Sequence, residues 1–411
     1  MKGRATWLCC VCLLSTVTAV RADEVRASAA DVALLKQLLA AASDAPDRDR
    51  FDDALRKQQE ALAARLEDAA LRERVRKLLP EVERAALLHA RTRKLLKDLE
   101  AVKGTATTEP GGPPWLRTLV GDGPMRLFDR VTAVDLCDHA IPIKSGVKNE
   151  RITDDWLERL RGLPDVRSLD VSITVVKGPG LKHIGTLKSL ESLNLTLTLV
   201  TDEHLGELRD LIGLQKLLIA STKCTGEGFK DLGGLKNLVN LNCHSSAVND
   251  AGLEQICRLT GLERIEIVHT HFTDRGAAHL ARLTNMKRIQ LGSRQATGAA
   301  VAPLRAMKQL RELDLFDGLV TAEGVKYASE IPTLTVLRLY AGPVGDDGFR
   351  PIARLTDLEV LIAQGVQITD AALDHLAGLK KLKRLEIQGN RVSDAAVTRL
   401  KQALPNLEVV K

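Results

Sequence analysis

Aromatic residues are scarce in this chain, at 3% of 411 residues. With hydrophobic residues at 45%, the core must be built from leucine, valine and isoleucine. Charge of one sign is also lacking. The formal charge is only +6, without the concentrated basic face of a dedicated nucleic-acid binder, so no nucleic-acid partner is expected. Beyond residue 22 no Cys-x-x-Cys pair occurs, which argues against a structural zinc site. No nucleophile elbow, phosphate loop or His-Glu-x-x-His motif is present, and these absences remove the common hydrolase, nucleotide-binding and metalloprotease classes. No cofactor and no catalytic residue is expected.

What is present begins with "MKGRATWLCCVCLLSTVTAVRADEV". Lys2 and Arg4 form a basic start, and Ala5–Val20 is apolar but short of the ~20 residues of a membrane span. Val20-Arg21-Ala22 offers small residues at the cleavage positions, so residues 1–22 are expected to be an export signal cut after Ala22. Retention as a single-pass anchor is the alternative. Lipidation is disfavoured, because Cys9, Cys10 and Cys12 lie inside the apolar run without the small residue expected before a lipidated cysteine. The mature chain is expected at the cell surface, in the periplasm or in the medium, with no stable membrane span. It keeps Cys137, Cys224, Cys243 and Cys257, and an exported chain can hold disulfides.

Residues 23–103 are rich in Ala, Leu, Glu, Lys and Arg, with almost no glycine. Apolar residues recur three or four apart, which predicts two or three amphipathic helices, broken near "SDAPDRD" and at Pro80. Val82, Ala85, Leu88, Leu95 and Leu99 form one stripe, fit for a helical hairpin or coiled coil and so for homo-oligomerisation through residues 27–103. "GTATTEPGGPP", residues 104–114, reads as a linker.

From Thr153 to Ser393 the sequence repeats with a period of 24. "TDEHLGELRDLIGLQKLLIASTKC" opens at 201, "NDAGLEQICRLTGLERIEIVHTHF" at 249 and "TDAALDHLAGLKKLKRLEIQGNRV" at 369. A fixed period of this size marks a solenoid. Leu193 and Leu195 alternate with Ser192, Asn194 and Thr196, a short strand with one face inward. Leu205, Leu208 and Leu211 recur at helical spacing and place a helix on the other side. No single repeat can bury its own apolar face, so neighbours must stack.

Stretches such as "LKSLESLNL", "LTGLERIEI" and "LKKLKRLEI" resemble the L-x-x-L-x-x-L-x-L core of leucine-rich repeats. The "V-T-D-x-G-L" style of the following segment is similar to exported bacterial leucine-rich repeats, to ribonuclease-inhibitor-like repeats and to the cysteine-containing repeats behind F-boxes. The resemblance covers about residues 115–411. It implies an α/β solenoid: a horseshoe of 24-residue repeats, a concave parallel sheet and convex helices, with an N-terminal cap at 115–152 and an all-α segment before it.

The repeats open with Thr153, Thr201, Thr225, Asn249, Thr273, Thr297, Thr321, Thr369 or Ser393, residues that cap helices. Asp202, Asp274 and Asp370 follow, suiting the positive end of a helix dipole. The turn asparagine of many leucine-rich repeats is replaced by Thr174, Thr198, Thr222, Ser246 and Thr270, and then by Arg294, Gly318, Gly342 and Val366 before Asn390. The last group predicts looser turns between Arg294 and Val366.

Cys224 takes the place of Val200, Val248 and Phe272, and Cys243 replaces a strand leucine, so both read as small core groups. In "VHTHFTD" the second half is repeat machinery, while His269 and His271 alternate as on an extended segment. With His244 one repeat earlier they are weak candidates for a transition-metal site. On the outward strand positions Leu218, Val268, Phe316, Val336, Tyr340, Val360 and Ile362 are apolar without need. Phe316 and Tyr340 share one column, with Arg338 and Ile362 beside them, and grouped aromatic and arginine residues are typical of an interface core. The expected function is non-catalytic capture of a protein or glycan outside the cytoplasm. The alternatives are a cell-envelope scaffold oligomerised through its helices and a ubiquitin-ligase-like adaptor, although residues 27–103 contain no convincing F-box.

Overall fold

A computed structural model describes residues 27–44, 53–141 and 147–411. The expected signal, residues 1–22, and most of the expected helix break lie outside the described residues. The chain divides into two compact units. One holds the residues up to Ala90 together with Pro110–Asp129, and the other holds Arg91–Glu109 and Arg130–Lys411.

The first unit is helical. Helix α1 (Ala29–Ser43) starts at Ser28, whose Oγ accepts the Asp31 amide at 3.0 Å while the Asp31 carboxylate accepts the Ser28 amide at 3.3 Å. Asp31 is buried and also accepts the Glu67 amide at 2.7 Å. Burial pushes its pKa up, but these amides more than offset that and hold it below the ordinary carboxylate value. Helix α2 spans Asp53–Ala64 and α3 spans Ala69–Val102.

The expected break at Pro80 does not occur, for α3 runs through it. A helix-interior proline costs about 3 kcal/mol. Burying one large apolar side chain returns about 1.5–3 kcal/mol, and Val75, Leu78, Val82, Ala85 and Ala86 on either side all enter one core with Leu35 and Leu39. The short helices α4 (Pro114–Val120) and α5 (Asp122–Met125) add Leu116, Val120 and Met125 to that core, followed by Leu127 and Phe128. Much of the stretch expected to begin the repeat cap therefore packs in the helical unit.

The second unit contains a sheet of thirteen strands among the described residues, paired in chain order. Strand β1 (Thr105–Glu109) pairs antiparallel with β2 (Arg130–Asp135). The segment expected as a linker thus carries an edge strand, because its alternating threonines suit an extended backbone. All later neighbours run parallel: β3 (Ser168–Asp170), β4 (Ser192–Asn194), β5 (Lys216–Leu218), β6 (Asn240–Asn242), β7 (Arg264–Thr270), β8 (Arg288–Ser293), β9 (Glu312–Asp317), β10 (Val336–Tyr340), β11 (Val360–Gln364), β12 (Arg384–Glu386) and β13 (Glu408–Val410). From β3 onward the register is one period, with one irregularity between β7 and β8, as Leu337 pairs with Leu313 a period earlier and Leu361 a period later. This is a leucine-rich-repeat solenoid.

Its core is a continuous stack of buried leucines, with Leu193, Leu217, Leu241, Ile265, Ile289 and Leu313 all at 0% exposure. Leu95, Leu99 and Val102, at the end of α3, close the first end of that core against Val131, Val134 and Trp156. On the convex side the expected helices are short. Several are 3-10 turns, such as Asp202–Leu208 and Gly298–Ala306, and others are α-helical, such as Asp250–Ile256. A 24-residue repeat leaves little chain for that side, and the 3-10 form advances about 2.0 Å per residue against 1.5 Å for the α-helix.

The opening threonines and aspartates do more than begin helices. Asn249, Thr273, Thr297, Thr321 and Ser393 cap their own helices by side chain, whereas Thr201 and Thr369 do not. The aspartate beside such a residue reaches forward into the next repeat. Asp202 accepts the Thr225 amide (2.7 Å) and hydroxyl (2.8 Å) and the amides of Gly226 (3.0 Å) and Gly228 (2.9 Å). Asp250 clamps Thr273, Asp274 clamps Thr297, Asp346 clamps Thr369 and Asp370 clamps Ser393 in the same way.

The strand-exit turns carry a second ladder. Thr174, Thr198 and Thr222 donate their hydroxyls to the carbonyl three residues back, at 2.7, 2.6 and 2.8 Å. Between Arg294 and Val366 the turns are not bare. The Ser293 hydroxyl reaches the Phe272 carbonyl at 2.5 Å, and the Val366 amide donates to Asn390 at 3.0 Å. Gly342 presses so close to the previous turn that a Cβ there would lie 2.0 Å from the Val320 carbonyl oxygen. The loosening expected from the missing asparagines is replaced by closer backbone contact.

Replacing Asp202 with alanine removes four charge-assisted hydrogen bonds between repeats. Thermal or denaturant unfolding should show a loss of about 2–4 kcal/mol. Asp210→Ala, which loses only an exposed 3.4 Å contact with Lys188, should change stability by less than about 0.5 kcal/mol.

Candidate functional site

The concave sheet face is built from outward residues at alternate strand positions, stacked by the 24-residue register. Asp314 pairs across the ladder with Arg338, and Arg338 with Ile362, while Val336 pairs with Val360. Phe316 and Tyr340 occupy one column, and their rings stack with centroids 4.7 Å apart and planes at 15°. Val336, Arg338, Tyr340, Val360, Ile362 and Phe316 are all half-buried. The structure therefore brings six of the eight expected patch residues together on β9–β11. Leu218 is half-buried on β5, flanked by Asn194 and Asn242. Three strands lie between it and β9, four spacings or roughly 19 Å at the usual strand spacing, and it stands apart from the patch.

Val268 was expected on the surface but is fully buried. Gly292 explains why. A Cβ at Gly292 would lie 2.7 Å from the Phe316 Cβ and 3.2 Å from Val268, so only glycine lets Phe316 settle this close to Val268. The Phe316 ring then extends to His269, with centroids 6.3 Å apart, and His269 meets His244 at 5.2 Å. The result is a ridge of rings, His244–His269–Phe316–Tyr340, beside a buried valine that is not part of the leucine stack.

The expected alternation of His269 and His271 also fails. His269 is in the left-handed region at φ 55°, as are Ile173, Leu197, Ser221, Ser245, Asp317 and Ala341 at the same place in their repeats, with Gly365 and Gly389 after them. A left-handed residue ends the period-2 alternation, and the His271 amide instead donates to the Val248 carbonyl at 2.9 Å. His244 and His269 come together, but His271 does not join them. No cluster of three potential metal ligands occurs among the described residues.

Sequence reading passed over the charged groups beneath the ridge. Asp314 is 2% exposed. It accepts from Arg338 at 2.8 Å, from Gln290 at 2.9 Å and from Arg288 at 3.5 Å. Glu312 reaches Arg338 at 3.4 Å and Arg288 at 3.7 Å. A buried carboxylate persists only when paired in this way. Burial works against the charge on Arg338, but Asp314 and Glu312 together hold its pKa above the usual guanidinium value. Burial, and then Asp314, push the Tyr340 phenol up, so it stays neutral. The Nε of Arg288 is buried and has no hydrogen-bond partner among the described residues. The signal in sequence was the repeat offset, since residues 24 apart on adjacent strands of opposite charge must meet.

The four cysteines among the described residues are shut away from solvent. Cys137, Cys224, Cys243 and Cys257 are free and buried. Burial pushes the Cys224 and Cys257 thiols to about 12 and the Cys243 thiol well above its ordinary value, so none is a nucleophile at neutral pH. Cys224 and Cys243 sit in the leucine stack, as expected from their repeat positions.

No family model matches the chain, and no curated protein matches it. Among solved structures it is similar to an internalin from Listeria monocytogenes, at 15% identity and a TM-score of 0.38 over 62% of this chain and 82% of that one. A leucine-rich-repeat protein of Leptospira interrogans follows at 16% identity and a TM-score of 0.37, over 62% of this chain and 80% of that one. A plant peptide hormone receptor in complex with RGF2 aligns at 18% identity and a TM-score of 0.38, over 61% of this chain and 44% of that one. These likenesses are distant, and the repeat fold rests on the strand register above.

With intact protein near pH 8, alkylation followed by peptide mapping should leave Cys224, Cys243 and Cys257 unlabelled, whereas denaturant should expose all three. Labelling of any of them in the folded state would show a thiol open to solvent.

Proposed function

We propose that this protein is a non-catalytic binding module that captures a partner protein on the concave face of β7–β11, outside the cytoplasm. The observation that carries this reading is the stacked Phe316–Tyr340 pair, half-buried and fixed on a rigid sheet beside Arg338. Aromatic and arginine side chains held in one conformation lose little entropy on binding and dominate interface energies. Val336, Val360 and Ile362 supply apolar surface around them. A glycan is the alternative ligand for the same face. Export is supported by residues 1–22 as read in sequence. No helix among the described residues is long and apolar enough to cross a membrane.

The scaffold alternative finds less support. Of the stripe expected to oligomerise, Val82 and Ala85 are buried in the helical core and Leu95 and Leu99 in the repeat core. Four of the five stripe residues are thus occupied within the chain, and Leu88 is half-buried.

Capture from native envelope or culture medium tests the proposal. The double substitution Phe316→Ala with Tyr340→Ala should lower capture at least tenfold, since truncating hot-spot residues costs about 2 kcal/mol or more each, while far-UV circular dichroism stays unchanged. Leu218→Ala, off the patch, should leave capture intact. Equal capture by the double variant removes the concave patch as the binding site.

A further inference from the structure

The ridge ends in a pair of titratable rings that the binding reading leaves without a role. His244 and His269 meet edge to face, with centroids 5.2 Å apart and planes at 72°. His269 Nδ1 lies 3.0 Å from both carboxylate oxygens of Asp317, the residue that follows Phe316. Burial, and then the neighbouring His269, hold the His244 pKa below the ordinary imidazole value, while Glu266 and Asp317 pull the other way. Glu266 also accepts a hydrogen bond from the Asn242 side chain, whose Oδ1 receives the His244 amide at 2.8 Å. From β8 the ridge is faced by Gly292, which brings no charge.

The surrounding charges are close to balance. Strands β7–β10 carry Arg264, Arg288 and Arg338 against Glu266, Glu312, Asp314 and Asp317. Three cations and four anions leave this face at −1 with both histidines neutral. Two added protons bring it to +1. The same protons place two like charges on rings in contact, beside the Phe316 ring that covers Val268.

We infer that the His244–His269 pair is a proton-operated switch on the concave face, resting on the reading of that face as the binding surface. With at most one proton on the pair, the ridge stays closed over Val268. The second proton drives the two rings apart, loosens Phe316 and reverses the sign of the face. Partner affinity then changes between neutral and mildly acidic conditions, because like charges at this separation repel even through water. Acidic surfaces on a partner are favoured on the low-pH side.

Histidine-selective NMR of the full chain between pH 8 and pH 4.5 reads the switch without any partner. His244 should titrate at a lower midpoint than an ordinary imidazole. His269→Asn, which tolerates the left-handed backbone, should move the His244 midpoint up. Asp317→Asn should move it down. The Phe316 and Tyr340 ring signals and the Val268 methyls should shift with the lower midpoint, and His244→Gln should abolish that shift. Unchanged His244 midpoints in both variants, or a ridge silent through the lower midpoint, would overturn the switch. Either result leaves the binding reading standing, since that is judged by capture at fixed pH.

Discussion

Each repeat of this solenoid can bury its leucines only against the repeat before and the repeat after. That constraint sets the 24-residue register, and the register decides nearly everything else. Leu193 sits on Leu217 and Leu217 on Leu241 because a shift of one residue would turn every inward leucine outward. The aspartate clamps serve the same end at the other side of the repeat. A carboxylate fixed to the amides of the next repeat holds neighbours at one spacing where the leucines alone would permit sliding.

A register this strict also writes columns on the exposed face. Residues a period apart are forced to within a strand spacing of each other, whether or not they contribute to the core. Phe316 stacks on Tyr340, and Asp314 meets Arg338, for that reason. The ring ridge exploits one exception to side-chain crowding, the bare backbone at Gly292. A functional surface on such a scaffold costs the fold little, because outward positions are free to vary while inward ones are not.

The helical unit follows different physics. Its residues gain from local helix formation, and its core is closed by segments distant in sequence, with Leu116 and Phe128 meeting Leu35 and Val82. Such contacts have no period to announce them. The second part of α3 is used differently, its Leu95 and Leu99 covering the first repeats so that the leucine stack does not end in solvent.

Sequence alone determined the period, the inward leucines, the burial of Cys224 and Cys243, and the column that holds Phe316 and Tyr340. All of these follow from spacing along one chain. It did not reveal the burial of Val268, which depends on where the Phe316 side chain lies across Gly292. Nor did it reveal that His269 turns the backbone, because the sign of φ at a histidine is not written in residue type. Tertiary structure also decided that α3 passes through Pro80 and that Thr105–Glu109 joins the sheet. In each case a contact with a distant neighbour outweighed a local preference of about 1–3 kcal/mol, and that balance is settled only once the neighbour is in place.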